Sequence, residues 1–204
     1  CTNDSRQGSS LAAFAKKLGY KSVFIIDDNE TYGKGLADSF DASFRQGGGT
    51  VLAHEHLTPN QVDFKALLTK AHSMNPDLVF YGGTTSTGGG LVRRQMADVS
   101  MQSTPFMGGD GLSDTSEFVK DAGPMAQNVY YSIAAPDTEN LPSAKAFVAA
   151  YKARFNSDVG AYSAPAYAAA QIVIAAIEKA IKDNNGSLPT RAEVLKNIAA
   201  TSDF

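Results

Sequence analysis

Tryptophan is absent, cysteine occurs once, and positive charge is not in excess. A single cysteine, Cys1, cannot make a disulfide within the chain, so cysteine usage says nothing about redox compartment. Lys and Arg number 18 against 21 Asp and Glu, a formal net charge of -3, which offers no basic field to nucleic acid or an anionic membrane. No stretch is expected to approach the roughly 20 apolar residues of a membrane span, and the residues that open the chain do not read as a signal peptide. What remains is ordinary for a globular chain: 204 residues, 43% hydrophobic and 19% charged, enough for a substantial core. The 18 glycines gather at a few places that read as loops.

Periodicity gives the organisation. Leu11, Phe14, Ala15 and Leu18 share a helical face, with Ser9 or Ser10 as cap and Gly19 as stop. Ser22-Val23-Phe24-Ile25-Ile26 reads as a strand buried on both faces, ending in Asp27-Asp28. Leu36, Phe40 and Phe44 stripe the next helix, which stops at Gly47-Gly48-Gly49. The alternation continues with strands at 51–57, 78–81, 105–107 and 129–133, and helices around Leu68, at 91–99 and around Phe118. It predicts right-handed crossovers and an α/β, doubly wound parallel sheet. After Ile133 the texture changes to three helical segments, 143–155, 164–181 and 190–200, the last opened by Thr190 and Glu193 at capping-box spacing. A boundary near Ile133 therefore separates an α/β domain, residues 1–133, from an incomplete helical second domain, residues 134–204.

In an open parallel sheet, ligands sit beyond the carboxyl ends of the strands. That edge collects Asp27, Asp28 and Tyr32, then residues 82–87, then Gly108-Gly109-Asp110-Gly111. Backbone N–H groups in such glycine loops suit a carboxylate, and Asp110 suits an ammonium. Taken singly, each loop is more often just a tight turn. Enzyme motifs fail one by one. Gly33-Lys34-Gly35 lacks the third glycine of the dinucleotide fingerprint, the P-loop spacing is missing, and Gly111-Leu112-Ser113 does not complete a nucleophile elbow. His54 and His56 lie on one strand face, but no third ligand is in view, so no metal is expected. His72 reads as a solvated helix residue. The sharpest rival is a phosphoacceptor receiver domain, suggested by Ile25-Ile26-Asp27-Asp28-Asn29. The position for its phosphorylated aspartate holds Gly82, and no matching lysine follows.

One family accounts for the loops together. Asp27-Asp28 with Tyr32-Gly33-Lys34-Gly35-Leu36, Asp63-Phe64 with Leu67-Leu68, Pro76-Asp77-Leu78-Val79-Phe80-Tyr81-Gly82-Gly83 and Arg94-Gln95 resemble the branched-chain amino-acid (leucine/isoleucine/valine-type) periplasmic binding proteins. So do Pro105-Phe106-Met107-Gly108-Gly109-Asp110-Gly111, Ala146-Phe147-Val148 with Tyr151, and Gly160-Ala161-Tyr162 with Tyr167-Ala168-Ala169. The likeness runs in order over nearly the whole chain.

The resemblance implies a type I fold of two α/β lobes closing over an amino acid or small carboxylate for an ABC permease, with no catalysis and no cofactor. It implies a periplasmic or extracellular place. A ligand sensor coupled to signalling is the alternative on the same fold. Asp4-Ser5-Arg6-Gln7-Gly8 resembles the segment after the first lobe crossing, which makes Cys1 an interior residue rather than a lipidated N-terminus. Residues 1–133 are then the second lobe and residues 134–204 helices of the first. The missing first-lobe segment, or another copy of the chain, becomes an expected partner. By the same resemblance Tyr32 covers the ligand, Asp110 accepts from its α-amino group and Tyr162 lines its side-chain pocket. Thr84 stands where the leucine-type pattern has a tyrosine, beside an apparent insertion.

Overall fold

A computed structural model describes residues 2–135 and 141–202. Cys1, the polar stretch 136–140 and the last two residues, all used in the sequence reading, lie outside the described residues. The chain divides into two compact units, Thr2–Ala134 and the residues from Ala135 onward.

The first unit holds five parallel strands: β1 (Ser22–Asp27), β2 (Thr50–His56), β3 (Leu78–Gly82), β4 (Phe106–Gly108) and β5 (Val129–Tyr131). Their order is β2-β1-β3-β4-β5. The order reverses between β1 and β3, and the crevice opens at their carboxyl ends. Helix α1 (Asp4–Lys17) precedes β1, and four helices cross over between successive strands: α2 (Thr31–Gln46), α3 (Lys65–Met74), α4 (Gly89–Gln95) and α5 (Thr115–Ala122). This is the α/β parallel-sheet fold expected from the alternation.

Successive strand residues point to opposite faces, and β1 divides its apolar run accordingly. Val23 and Ile25 pack with Leu11, Ala15, Leu36 and Phe40 of α1 and α2. Phe24 and Ile26 pack with residues of α3, α4 and α5, including Leu68, Val92 and Phe118. Phe40 and Phe80 stack with ring centroids 3.8 Å apart on the α2 face. Each such fully buried side chain is worth about 1.5–3 kcal/mol.

Three local expectations are corrected. The first helix starts five residues before Ser9, with Asn3 as its cap accepting from the Arg6 N–H. Gly8 does not break it. A Cβ there would fall 2.8 Å from the Phe40 backbone nitrogen, so the glycine lets α1 lie close on α2. On α1 the buried positions are Gln7, Gly8, Leu11, Ala12 and Ala15, whereas Phe14 and Leu18 are exposed. The helix expected at 91–99 is α4 followed by a tighter 3-10 turn, Met96–Val99.

Arg93 of α4 is the largest of the fully buried side chains. It donates to the carbonyls of Met125, Thr104 and Gln127 at 2.8 Å each, tying the approaches of β4 and β5 to α4. Burial lowers its pKa to about 10, and the guanidinium stays charged at neutral pH.

The second unit contributes α6 (Lys145–Phe155), α7 (Ser163–Asp183) and α8 (Arg191–Ala199). Thr190 and Glu193 form the expected capping box, and Asn197 donates to the Ala176 carbonyl at 3.2 Å. Much of the apolar surface of α7 is uncovered, including Val173, Ile174 and Ile177. By length and composition α7 passes as a membrane span, so the expectation that no stretch meets that measure is corrected. Counting unbroken apolar runs overlooked a helix interrupted by Gln171, Glu178 and Lys179.

Candidate functional site

Three loops meet at the carboxyl edge of the sheet, and a hydrogen-bonded core organises them. Asp110 follows β4. Its Oδ1 accepts from the Tyr32 hydroxyl at 2.9 Å and from Gln7 Nε2 at 2.8 Å. The Tyr32 hydroxyl in turn accepts from the Gly111 N–H at 3.1 Å. Burial pushes the Tyr32 phenol well above its ordinary pKa; the Gly111 N–H opposes this and the Asp110 carboxylate adds to it. Tyr32 is therefore a fixed donor to Asp110 at any physiological pH. The Tyr32 hydroxyl and the Gln7 amide hold the Asp110 carboxyl group in a defined place, which suits a cationic ligand group.

The loop after β3 crosses close to Asp110. Thr85 N–H donates to the Gly111 carbonyl at 3.0 Å. A Cβ on Gly111 would fall 2.3 Å from the Gly83 oxygen, so glycine is needed where one loop passes the other. This clearance serves the protein's own backbone, in addition to any approach of a ligand. Thr84 turns its hydroxyl into its own loop, 2.9 Å from Ser86 Oγ and 3.1 Å from Thr87 Oγ1. Thr87 donates to Asp28 Oδ2 at 2.7 Å, joining this loop to the one after β1. A polar cleft of about 430 Å³ opens beside them, lined by Asp28, Glu30, Thr58, Gln61, Ser86 and Thr87 among others.

Of the residues expected at the site, Tyr32 and Asp110 are in direct contact, and Thr84 lies on the same edge, one residue from the Thr85–Gly111 bond. Tyr162 belongs to the other unit, at the residue preceding α7. Gln7 was missed. Its segment had been matched to the family, but placing the helix start at Ser9 or Ser10 left Gln7 in a tail instead of on a buried face. It is 3% exposed, and its Oε1 is buried with no hydrogen-bond partner among the described residues.

A larger concavity of about 660 Å³ lies in the second unit, walled by Phe147, Tyr151, Phe155 and Tyr167. It is an apolar gap with Arg154 as its single charged wall residue, so size alone does not mark the site. The receiver-domain rival fails sterically as well as chemically. At Gly82 even a Cβ would come within 2.2 Å of the Gly33 carbonyl oxygen, leaving no room for an aspartate.

A "Leu/Ile/Val-binding protein homolog 3" of Brucella melitensis is 38% identical over 96% of this chain and 51% of its own length. "Leu/Ile/Val-binding protein BraC3" of Rhizobium johnstonii is also 38% identical, over 88% of this chain and 48% of its own. The crystal structure of the leucine binding protein LivK of Thermotoga maritima matches 100% of this chain and 56% of its own at a TM-score of 0.85 and 29% identity. That of the branched-chain amino acid transporter substrate binding protein LivJ of Streptococcus pneumoniae, solved with isoleucine, matches 98% and 55% at a TM-score of 0.79 and 31% identity. The chain thus spans about half the length of the relatives it matches. The sequence profile described as periplasmic binding protein covers residues 2–204, and the fold carries its loops to the same sheet edge: the chain belongs to the periplasmic binding protein family.

Proposed function

We propose that the full-length protein is a solute-binding protein of the periplasm or cell exterior, which captures an amino acid or a close small carboxylate for an ABC permease and performs no catalytic turnover. The observation that carries this reading is the Asp110 carboxylate, held by Tyr32 and Gln7 on a glycine-lined sheet edge. A fixed acid suits an α-ammonium group, and the edge carries no basic cluster of the kind phosphate recognition uses. The names of the relatives, which refer to leucine, isoleucine and valine, support an aliphatic amino acid.

On this reading residues 1–133 are one ligand-binding lobe and residues 134–204 are helices of the other. Tyr32, Thr84 and Asp110 supply one wall, and Tyr162 is assigned to the side-chain pocket. The wall holding the ligand carboxylate would come from first-lobe sequence outside this chain. That same sequence would cover the exposed aromatic and aliphatic faces of α6 and α7.

Calorimetric titration of the full-length protein with amino acids, keto acids and sugars tests the proposal. Saturable binding of an aliphatic amino acid is expected. Binding of sugars with no response to any amino acid would overturn it.

A further inference from the structure

At the carboxyl end of edge strand β2, two histidines and the buried aspartate that ends β1 converge. His54 Nε2 lies 2.8 Å from Asp27 Oδ2, and His56 Nδ1 lies 2.7 Å from the same oxygen. Among the described residues this is the one group of three His, Cys, Asp or Glu side chains whose ligand atoms all fall within 4.8 Å of one another.

Its assembly depends on a backbone irregularity. Strand residues two apart share a face, so His54 and His56 point the same way. Between Val23 and Phe24 the β1–β2 register shifts, and Leu52 has no partner. Before the shift Ser22 faces Thr50; after it Asp27 faces His56. Without that extra residue Asp27 would face Glu55, and the histidines would lie on the opposite side. Glu55 instead pairs with Lys70 of α3 at 2.7 Å, on the other face of the sheet.

We propose that Asp27, His54 and His56 form a binding site for a divalent first-row transition metal, with zinc as the best match. Two imidazoles and one carboxylate, with a fourth position open to solvent, are a donor set zinc accepts. Four-coordinate zinc holds its ligand atoms about 3.3–3.5 Å apart, so the two Asp27–His distances need to widen by roughly 0.5–0.8 Å. Asp27 Oδ1 is occupied by the Asn29 N–H at 2.8 Å, which leaves Oδ2 for the ion. The other ring nitrogen of His54, Nδ1, lies 3.3 Å from Asp41 Oδ2, the carboxylate-to-histidine support that orients metal ligands. In the bound form each imidazole is neutral. His54 meets the ion through the Nε2 lone pair and keeps its N–H toward Asp41. His56 meets it through Nδ1 with its N–H in solvent, and any proton displaced passes to water. The Asp27 side chain is fully buried, while that of His56 is 46% exposed, so the ion has both an anchor and an entry path. An ion here would pin β2 to β1 at the root of the turn that leads into α2 and Tyr32. The proposal does not depend on which solute the protein binds.

The test is zinc titration of the chelator-treated chain by calorimetry, with Cys1→Ser in every sample so that its thiol does not compete. One equivalent of Zn²⁺ is expected to bind, and thermal stability to rise with it. His56→Ala, at an exposed edge position, should weaken binding at least tenfold, and Asp41→Asn should weaken it by about tenfold. His72→Ala, on α3, should leave it unchanged. Co²⁺ should give the visible absorption of a four-coordinate site in the parent and not in His56→Ala. Equal zinc affinity in the parent and His56→Ala, or no zinc-dependent stabilisation of the parent, would overturn the assignment and leave the cluster a hydrogen-bonded strand clasp.

Discussion

The Tyr32 hydroxyl donates to the Asp110 carboxylate at 2.9 Å across 78 residues of sequence, fastening the first turn of α2 to the segment after β4. Tyr32→Phe keeps the ring and removes both this bond and the acceptor for the Gly111 N–H. The loss should cost about 1–2 kcal/mol, read as a lower urea midpoint at unchanged slope. An unchanged midpoint would mean that the contact contributes nothing to folding.

Arg93 should matter more than any surface charge. Arg93→Met removes the donors to three carbonyls, those of Thr104, Met125 and Gln127, and should destabilise by about 3 kcal/mol. Arg93→Lys should recover only part of this, because one ammonium cannot reproduce the fork. Parallel urea melts of the two variants check the order.

Asp77 predicts part of the acid response. Partial burial works against its charge, but the backbone N–H groups of Lys21 and Ser22, at 2.8 and 2.9 Å, and the Ser22 hydroxyl outweigh it and hold the carboxyl below its ordinary pKa. A lowered folded-state pKa contributes stability that is present above the unfolded value and is lost as pH falls through the folded one. Asp77→Asn should therefore flatten the loss of stability below about pH 4. An acid limb identical to the parent's would contradict this.

The buried strands β1 and β3 and the stripe on α2 were legible because unbroken apolar runs and a 3.6-residue period leave little alternative. The first helix was misplaced because Gly8, Ser9 and Ser10 look like a start signal, whereas glycine there serves close packing against Phe40. That error hid Gln7. Asp27 was noted as an edge acid, but its meeting with His54 and His56 was not legible, since nothing in the residue pattern announces the unpaired Leu52. Tyr32 and Asp110 were placed at the sheet edge by the strand alternation, and the family resemblance added the ligand-covering role of Tyr32.

If the carboxylate-holding wall lies outside this chain, the 204-residue chain and the full-length protein should differ sharply. The isolated chain should bind amino acids weakly or not at all, and should self-associate through the exposed faces of α6 and α7. Sedimentation with a parallel binding titration measures both. A monomer with tight amino-acid binding would show that the site is complete without the rest.

The most direct test of the ammonium-accepting role is Asp110→Asn in the full-length protein, titrated with leucine and with the keto acid that lacks its amino group. A charge-assisted hydrogen bond is worth about 1.5–3 kcal/mol, so leucine affinity should fall by about tenfold or more, while keto-acid affinity should barely change. Leucine binding as tight as the parent's would contradict the account and make Asp110 a turn residue that happens to hold Tyr32.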